Sequence, residues 1–281
     1  MNYDRRSVGF DVAPSGASLG AEITGLDLRR PLPQQTIGAI EAAMFEHVVL
    51  VIRGQDLSEA EQLAFCRRFG EIYKNPNGGE IRMVSNQREH LEPIAQLHDT
   101  EMSFHHDTIF RSIPQKTLCM YSVDIPSWGG NTIFANMELA YETLPAEVKA
   151  RIKGLTALHA FAYTKTKRID IAELKARPNA SYAEHPVAIL HPHTGRNILY
   201  VNRLMTLRIN GLPEDEGEAL LELLVSHAEQ RRFHYEHIWR KGDVILWDNI
   251  ASMHARTDMP KDQRRVIRHC SVLGTVAPAA A

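Results

Sequence analysis

Short apolar runs broken by turn residues dominate the chain, and helical periodicity is confined to a few stretches. Residues 8–28 interleave brief apolar runs with Pro14, Gly16, Gly20 and Gly25, which predicts short strands and turns. Over 33–47 the apolar positions Ile37, Ile40 and Met44 keep a helical spacing. Val48-Val-Leu-Val-Ile52 is rich in β-branched residues and stops at Gly54, so it reads as a buried strand. Ser58-Glu-Ala-Glu61 is a capping box that opens a second helix to about Phe69. Residues 73–98 carry Asn-Pro and Gly-Gly signals and read as a long surface loop with one strand over 81–85. Residues 138–152 look helical around Pro145, and 213–230 form a helix through Leu220, Leu221, Leu224 and Val225.

The remaining apolar runs are strand-like: 117–123, 131–134, 186–190, 198–201, 233–239, 244–247 and 265–273. Turns such as Trp128-Gly-Gly-Asn131, His193-Thr-Gly-Arg196 and Lys241-Gly-Asp243 separate some of them. Many short strands with regular punctuation predict a β-sandwich or barrel with helices packed outside, spanning residues 1–281 as a single domain. The tail 275–281, Thr-Val-Ala-Pro-Ala-Ala-Ala, is expected to fray.

Composition narrows the function classes. A hydrophobic content of 44% and a charged content of 23% describe a folded chain with a sizeable core. A net charge of −2 gives no reason to expect a nucleic acid or an anionic membrane as partner. The three cysteines, Cys66, Cys119 and Cys270, lie far apart without a C-x-x-C, which argues against a disulfide framework and a thiolate zinc site. With no apolar signal core in the first ten residues and no apolar run near 18, a cytoplasmic protein is expected.

Candidate chemistry sits in His105-His106-Asp107 and in His254, with Arg265 eleven residues after it. Two imidazoles and one carboxylate form the facial triad of non-haem Fe(II) oxygenases, which leaves open metal positions for cosubstrate and O2. In an extended segment i and i+2 share a face, so His105 and Asp107 can reach one metal while His106 turns away. His254 follows the strand over 244–247 and can be delivered from a neighbouring strand. Alone, each of these is more often an ordinary core or surface residue. Arg265 shifts the balance, because a buried guanidinium suits the distal carboxylate of 2-oxoglutarate. Thr132, in Gly129-Gly-Asn-Thr132, is a candidate hydroxyl donor for the same carboxylate.

With these residues in order, the chain resembles the taurine dioxygenase and 2,4-dichlorophenoxyacetate dioxygenase family of Fe(II)/2-oxoglutarate enzymes, nearly end to end. Leu19-Gly-Ala-Glu-Ile-Thr-Gly-Leu-Asp-Leu28 is similar to the family's opening strand. Val49-Leu-Val-Ile-Arg-Gly-Gln55, Arg68-Phe-Gly70, His191-Pro-His-Thr-Gly-Arg196 and Gly242-Asp-Val-Ile-Leu-Trp-Asp-Asn249 follow in the expected order. Phe104 stands where the family usually has Trp before its His-x-Asp. The resemblance implies a double-stranded β-helix, or jelly-roll, with iron on His105, Asp107 and His254 and 2-oxoglutarate on Thr132 and Arg265. It implies Trp247 near the metal, and a homo-oligomer, dimer or tetramer. The reaction would use O2 to hydroxylate a small organic acid, an aryloxyalkanoate or a sulfonate or sulfate, with release of succinate and CO2. Asp107 favours hydroxylation, since related halogenases put chloride in its place.

The chain departs from the family at the substrate end. Four residues beyond Arg265, where many members grip the substrate anion with a second Arg, stands His269; Arg268, next to it, faces oppositely in a strand. Asn75 replaces the taurine-specific His, so taurine itself is a poor substrate expectation. His269, Asn75 and Arg203 are the substrate candidates, with Lys74 behind them, and Phe161 and Tyr163 are candidates for an apolar wall. Two alternatives remain: a zinc-dependent hydrolase on the same triad, against which Arg265 and Thr132 count, and a jelly-roll binding protein without turnover.

Overall fold

The computed structural model describes residues 8–87, 102–161, 171–178 and 180–281. In chain order its strands are β1 (Asp11–Pro14), β2 (Ala21–Thr24), β3 (Val49–Ile52), β4 (Arg82–Ser85), β5 (Met102–His105), β6 (Thr117–Asp124), β7 (Thr132–Asn136), β8 (Thr156–Ala160), β9 (Tyr182–Pro186), β10 (Ala188–Leu190), β11 (Asn197–Leu199), β12 (Thr206–Ile209), β13 (His234–His237), β14 (Val244–Asp248), β15 (Ser252–Arg256), β16 (Val266–Val272) and β17 (Ala279–Ala280). The helices are α1 (Gln34–His47), α2 (Glu59–Cys66), α3 (Met137–Glu142), α4 (Ala146–Ile152), α5 (Ile171–Ala176) and α6 (Glu214–Ala228).

Two sheets carry the architecture. A seven-stranded sheet runs β1-β2-β3-β14-β6-β16-β4, and a four-stranded sheet runs β13-β7-β15-β5. Neighbours are antiparallel except β2 with β3. β14 shows why the large sheet has two covered faces. All five of its residues are buried, and they alternate: Val244 and Leu246 join the cluster under α1 and α2, while Ile245 and Trp247 join the cluster between the sheets. Across that second cluster the Phe134 ring of β7 meets the Trp247 ring of β14 edge-on, 5.4 Å between centroids.

Helices α1, α2 and α6 form where the sequence signals place them. Ile37, Ile40 and Met44 of α1 are buried against the large sheet. At Val48 the chain takes φ 66°, a costly conformation for a β-branched residue, held by the Asp248 N–H donating to the Val48 carbonyl at 2.9 Å. In α2 the Ser58 hydroxyl accepts from the Glu61 N–H and the Glu61 carboxylate accepts from the Ser58 N–H.

The structure corrects several expectations. The tail does not fray throughout: Ala279 and Ala280 pair with Leu190 and Ile189 as an edge strand. The run 138–152 is two helices, because Pro145 has no N–H to continue α3 and instead opens α4. The run 186–190 forms only the short β10 and the last residue of β9, a strand that starts earlier, at Tyr182. The apolar pattern does not signal β8, β12 and β15; in each, part of the alternation is masked by His, Thr or Ser that are buried and hydrogen-bonded. Among the described residues no helix is long and apolar enough to cross a membrane.

Candidate metal centre

His105, Asp107 and His254 converge, each offering one ligand atom, with these atoms all within 4.8 Å of one another. His254 lies in the middle of β15, directly opposite His105 at the end of β5, and the two rings sit 4.2 Å apart. The His105 Nδ1–H donates to the Ser103 carbonyl at 2.9 Å, so Nε2 keeps its lone pair and points to Asp107 Oδ1 at 3.5 Å. His106 turns the other way, as alternation requires: it is fully buried against Tyr200, and its Nδ1 accepts from Asn202 at 3.2 Å.

Asp107 reaches the cluster by a route that alternation does not supply. β5 ends at His105, and Asp107 lies in the turn that follows, next to Thr108 at φ 57°. The Asn249 side chain fixes it: Oδ1 accepts from the Asp107 N–H, and Nδ2 donates to the Asp107 and Gln115 carbonyls. Asn249 is itself placed by Asp248, whose carboxylate accepts the Ile250 and Ala251 N–H groups and meets His191 Nε2 at 2.7 Å. Burial opposes the Asp107 charge, yet the neighbouring His105, His269 and His254 rings outweigh it and hold the carboxyl well below its usual range. Burial pushes His254 well down, which keeps its ring neutral and one ring nitrogen's lone pair available. The Trp247 indole lies edge-on to His254, 5.3 Å between centroids, so its ring does pack beside the triad.

Arg265 and Thr132 lie on the walls of the same cavity. Arg265 is 2% exposed, and its Nε–H donates to the Gly130 carbonyl at 3.0 Å. Among the described residues no carboxylate pairs with it. Burial, then the nearby Arg256 charge, push its pKa down to about 9, so it stays charged at neutral pH with no counter-ion among the described residues. Gly130 has φ 63°, and a Cβ there would lie 2.9 Å from Arg265 Cδ; the glycine is what lets the strand approach the guanidinium. Thr132 Oγ1 accepts from the Trp239 indole N–H at 3.0 Å, which leaves the hydroxyl proton free to donate to a ligand. The donor set therefore fits a metal, and the cation with its hydroxyl fits a carboxylate, on one cavity.

The substrate candidates fare differently. His269 is not in the cavity wall; its Nε2 lies 3.3 Å from Asp107 Oδ2. Arg268 does face oppositely, lying over the Tyr121 ring and donating to the Leu57 carbonyl. Asn75 closes a local turn, donating from its backbone to Gly79 and from its side chain to the Ile81 carbonyl. Arg203 lies on the outside, saturated by Glu222 and Glu229. Neither it nor Lys74 lines the cavity. The Phe161 ring packs 6.5 Å from Phe110, and Tyr163 falls outside the described residues. Sequence reasoning misses Asn249 as a clamp, Trp239, and the cavity-wall residues Arg82, Val84, Met102, Met120 and Arg256. Of these only Asn249 stands in a segment that resembles the family, at the end of Gly242–Asn249. A roomier groove of about 750 Å³, between α6 and β12, holds none of the triad.

Comparison with known proteins agrees with this geometry. The family described as "Taurine catabolism dioxygenase TauD, TfdA family" matches residues 11–271. The chain belongs to the TauD/TfdA dioxygenase family. It is 32% identical to an (S)-phenoxypropionate/alpha-ketoglutarate-dioxygenase of Sphingobium herbicidovorans, over 96% of this chain and 97% of that one. It is 31% identical to an alpha-ketoglutarate-dependent sulfate ester dioxygenase of Pseudomonas putida, over 95% and 90%. The crystal structure of AAD-2 in complex with Mn(II) and N-oxalylglycine superposes with a TM-score of 0.81 at 30% identity, over 95% of this chain and 98% of that one. These TauD/TfdA relatives give the zinc-hydrolase alternative no support.

Proposed function

We propose that this 2-oxoglutarate-dependent dioxygenase binds Fe(II) through His105, Asp107 and His254 and holds the distal carboxylate of 2-oxoglutarate on Arg265 and Thr132. The observation that carries the reading is the pairing, on one cavity, of a three-donor cluster with a buried guanidinium that has no carboxylate partner among the described residues. Iron held there supplies, with 2-oxoglutarate and O2, the oxidation that hydroxylates a substrate C–H bond while succinate and CO2 are released.

The protein's own part is positioning. Ser103 fixes the His105 tautomer, and Asn249 fixes the Asp107 backbone. Trp239 orients the Thr132 hydroxyl, and Gly130 seats Arg265. Val84, Met102 and Met120 line the approach to the triad with apolar surface that excludes water. The two facing sheets support a jelly-roll core, within one domain over 1–281. The substrate is a small organic acid, an aryloxyalkanoate or a sulfonate or sulfate ester, as the names of the relatives suggest. Hydroxylation at a carbon bearing an ether or ester oxygen gives a product that falls apart, so the net outcome there is cleavage.

The test is anaerobic addition of Fe(II) and 2-oxoglutarate, followed by O2 and a panel of carboxylates, sulfonates and sulfates with succinate as readout. A metal-to-2-oxoglutarate charge-transfer band is expected, and its absence with iron bound would sink the reading.

A further inference from the structure

The cavity beside the triad carries more positive charge than the cosubstrate needs. Its wall holds three guanidinium groups, of which Arg256 is already engaged in an interaction, leaving Arg82 and Arg265 against one carboxylate, Asp107. Fe(II) and the 2-oxoglutarate dianion would cancel each other, so the surplus stays for another anion.

Arg82 is placed to take it. On β4 it registers directly opposite His269 of β16. Opposed residues of an antiparallel pair project from the same face. His269 reaches Asp107, so this is the face turned to the triad, and Arg82 and Val84, two apart on β4, both line the cavity. Unlike those of Arg265, Arg268 and Arg203, the Arg82 side chain makes no hydrogen bond or ion pair among the described residues. It stands exposed, while Val84, Met102 and Met120 give apolar wall to the same cavity. His269, at the position expected to grip an anion, lies against the Asp107 carboxylate instead.

We propose that Arg82 is the specificity-determining cation for the primary substrate, binding the anionic head of an amphiphile whose apolar body lies along Val84, Met102 and Met120. The inference rests on the dioxygenase reading above. The head is a carboxylate or a sulfate, either of which a guanidinium takes bidentately.

Titration calorimetry on protein loaded with Mn(II) and N-oxalylglycine tests it. The probes are 2-phenoxypropionate, 2,4-dichlorophenoxyacetate, hexyl sulfate and decyl sulfate, with methyl 2-phenoxypropionate as the uncharged counterpart. The wild type should bind at least one anion and bind the methyl ester at least about tenfold more weakly than its acid. Arg82→Gln should weaken anion binding about 10- to 100-fold, as loss of a charge-assisted contact does, and Arg82→Lys should restore part of it. Whether carboxylates or sulfates lose more identifies the head. N-oxalylglycine affinity should stay unchanged in Arg82→Gln. Equal anion affinity in Arg82→Gln and wild type overturns the inference, as does a wild type that binds N-oxalylglycine but none of the anions. Failure of N-oxalylglycine to bind the wild type overturns the dioxygenase reading and this inference with it.

Discussion

The Asn249 side chain holds Asp107 by both ends of its residue, accepting from the N–H at 2.9 Å and donating to the carbonyl at 2.9 Å. Asp107 lies past the end of β5, so no ladder hydrogen bond fixes it. Asn249→Ala should therefore loosen the carboxylate and weaken Mn(II) binding about 10- to 100-fold, the usual effect of losing a partner behind a metal ligand. Calorimetric titration with Mn(II) measures this, and unchanged affinity would show that the turn holds Asp107 unaided.

The seat for the cosubstrate has separable parts. Arg265→Ala should raise the dissociation constant for 2-oxoglutarate at least about tenfold while Mn(II) affinity stays near wild type, because the guanidinium bonds an anion and not the metal cluster. An unaltered 2-oxoglutarate affinity would remove Arg265 from that role.

Trp239→Phe should act on the same ligand more gently. It removes the N–H that occupies the Thr132 hydroxyl oxygen, so the hydroxyl can rotate away from the ligand. A loss of about threefold to tenfold in 2-oxoglutarate affinity is expected, from a hydrogen bond of about 1 kcal/mol. Equal binding to the variant and wild type would refute this coupling.

Buried histidines set the acid limit of the fold. Burial pushes His106 down to about 3 and His159 well below its usual range; His185, whose Nε2 meets the Ile109 and Arg111 carbonyls, is also lowered by burial. A lowered folded-state pKa means that stability is full above the unfolded value near 6.5 and is lost as pH falls toward the folded value. Each such group costs about 1.4 kcal/mol per pH unit within that window. Asp107 is lowered from 3.8, so its contribution persists through the same range. The melting temperature should fall steadily from pH 7 to pH 5, and a flat profile there would contradict the neutral buried state.

Several features are legible along the chain because their signals are local. Helical spacing marks α1 and α6, a capping box opens α2, and an unbroken apolar run from Val244 to Trp247 marks β14. His105, Asp107, His254, Thr132 and Arg265 can be singled out because their chemistry and order are informative together. β8, β12 and β15 escape such a reading, since His159, Thr206 and Ser252 look polar along the chain but are buried and hydrogen-bonded in the fold.

By itself the sequence determined the donor types, the likeness to a family, and that His106 and His105 face opposite ways, because side chains alternate along an extended chain. The tertiary structure decided which residues share the cavity. It put Asn249 on Asp107, 142 residues apart, and set Arg82 across from His269 by strand register. It also took Arg203 and Asn75 away to local partners. Such choices depend on which strands pair and how a turn closes, and a charge or amide carries no mark along the chain of the partner it will meet.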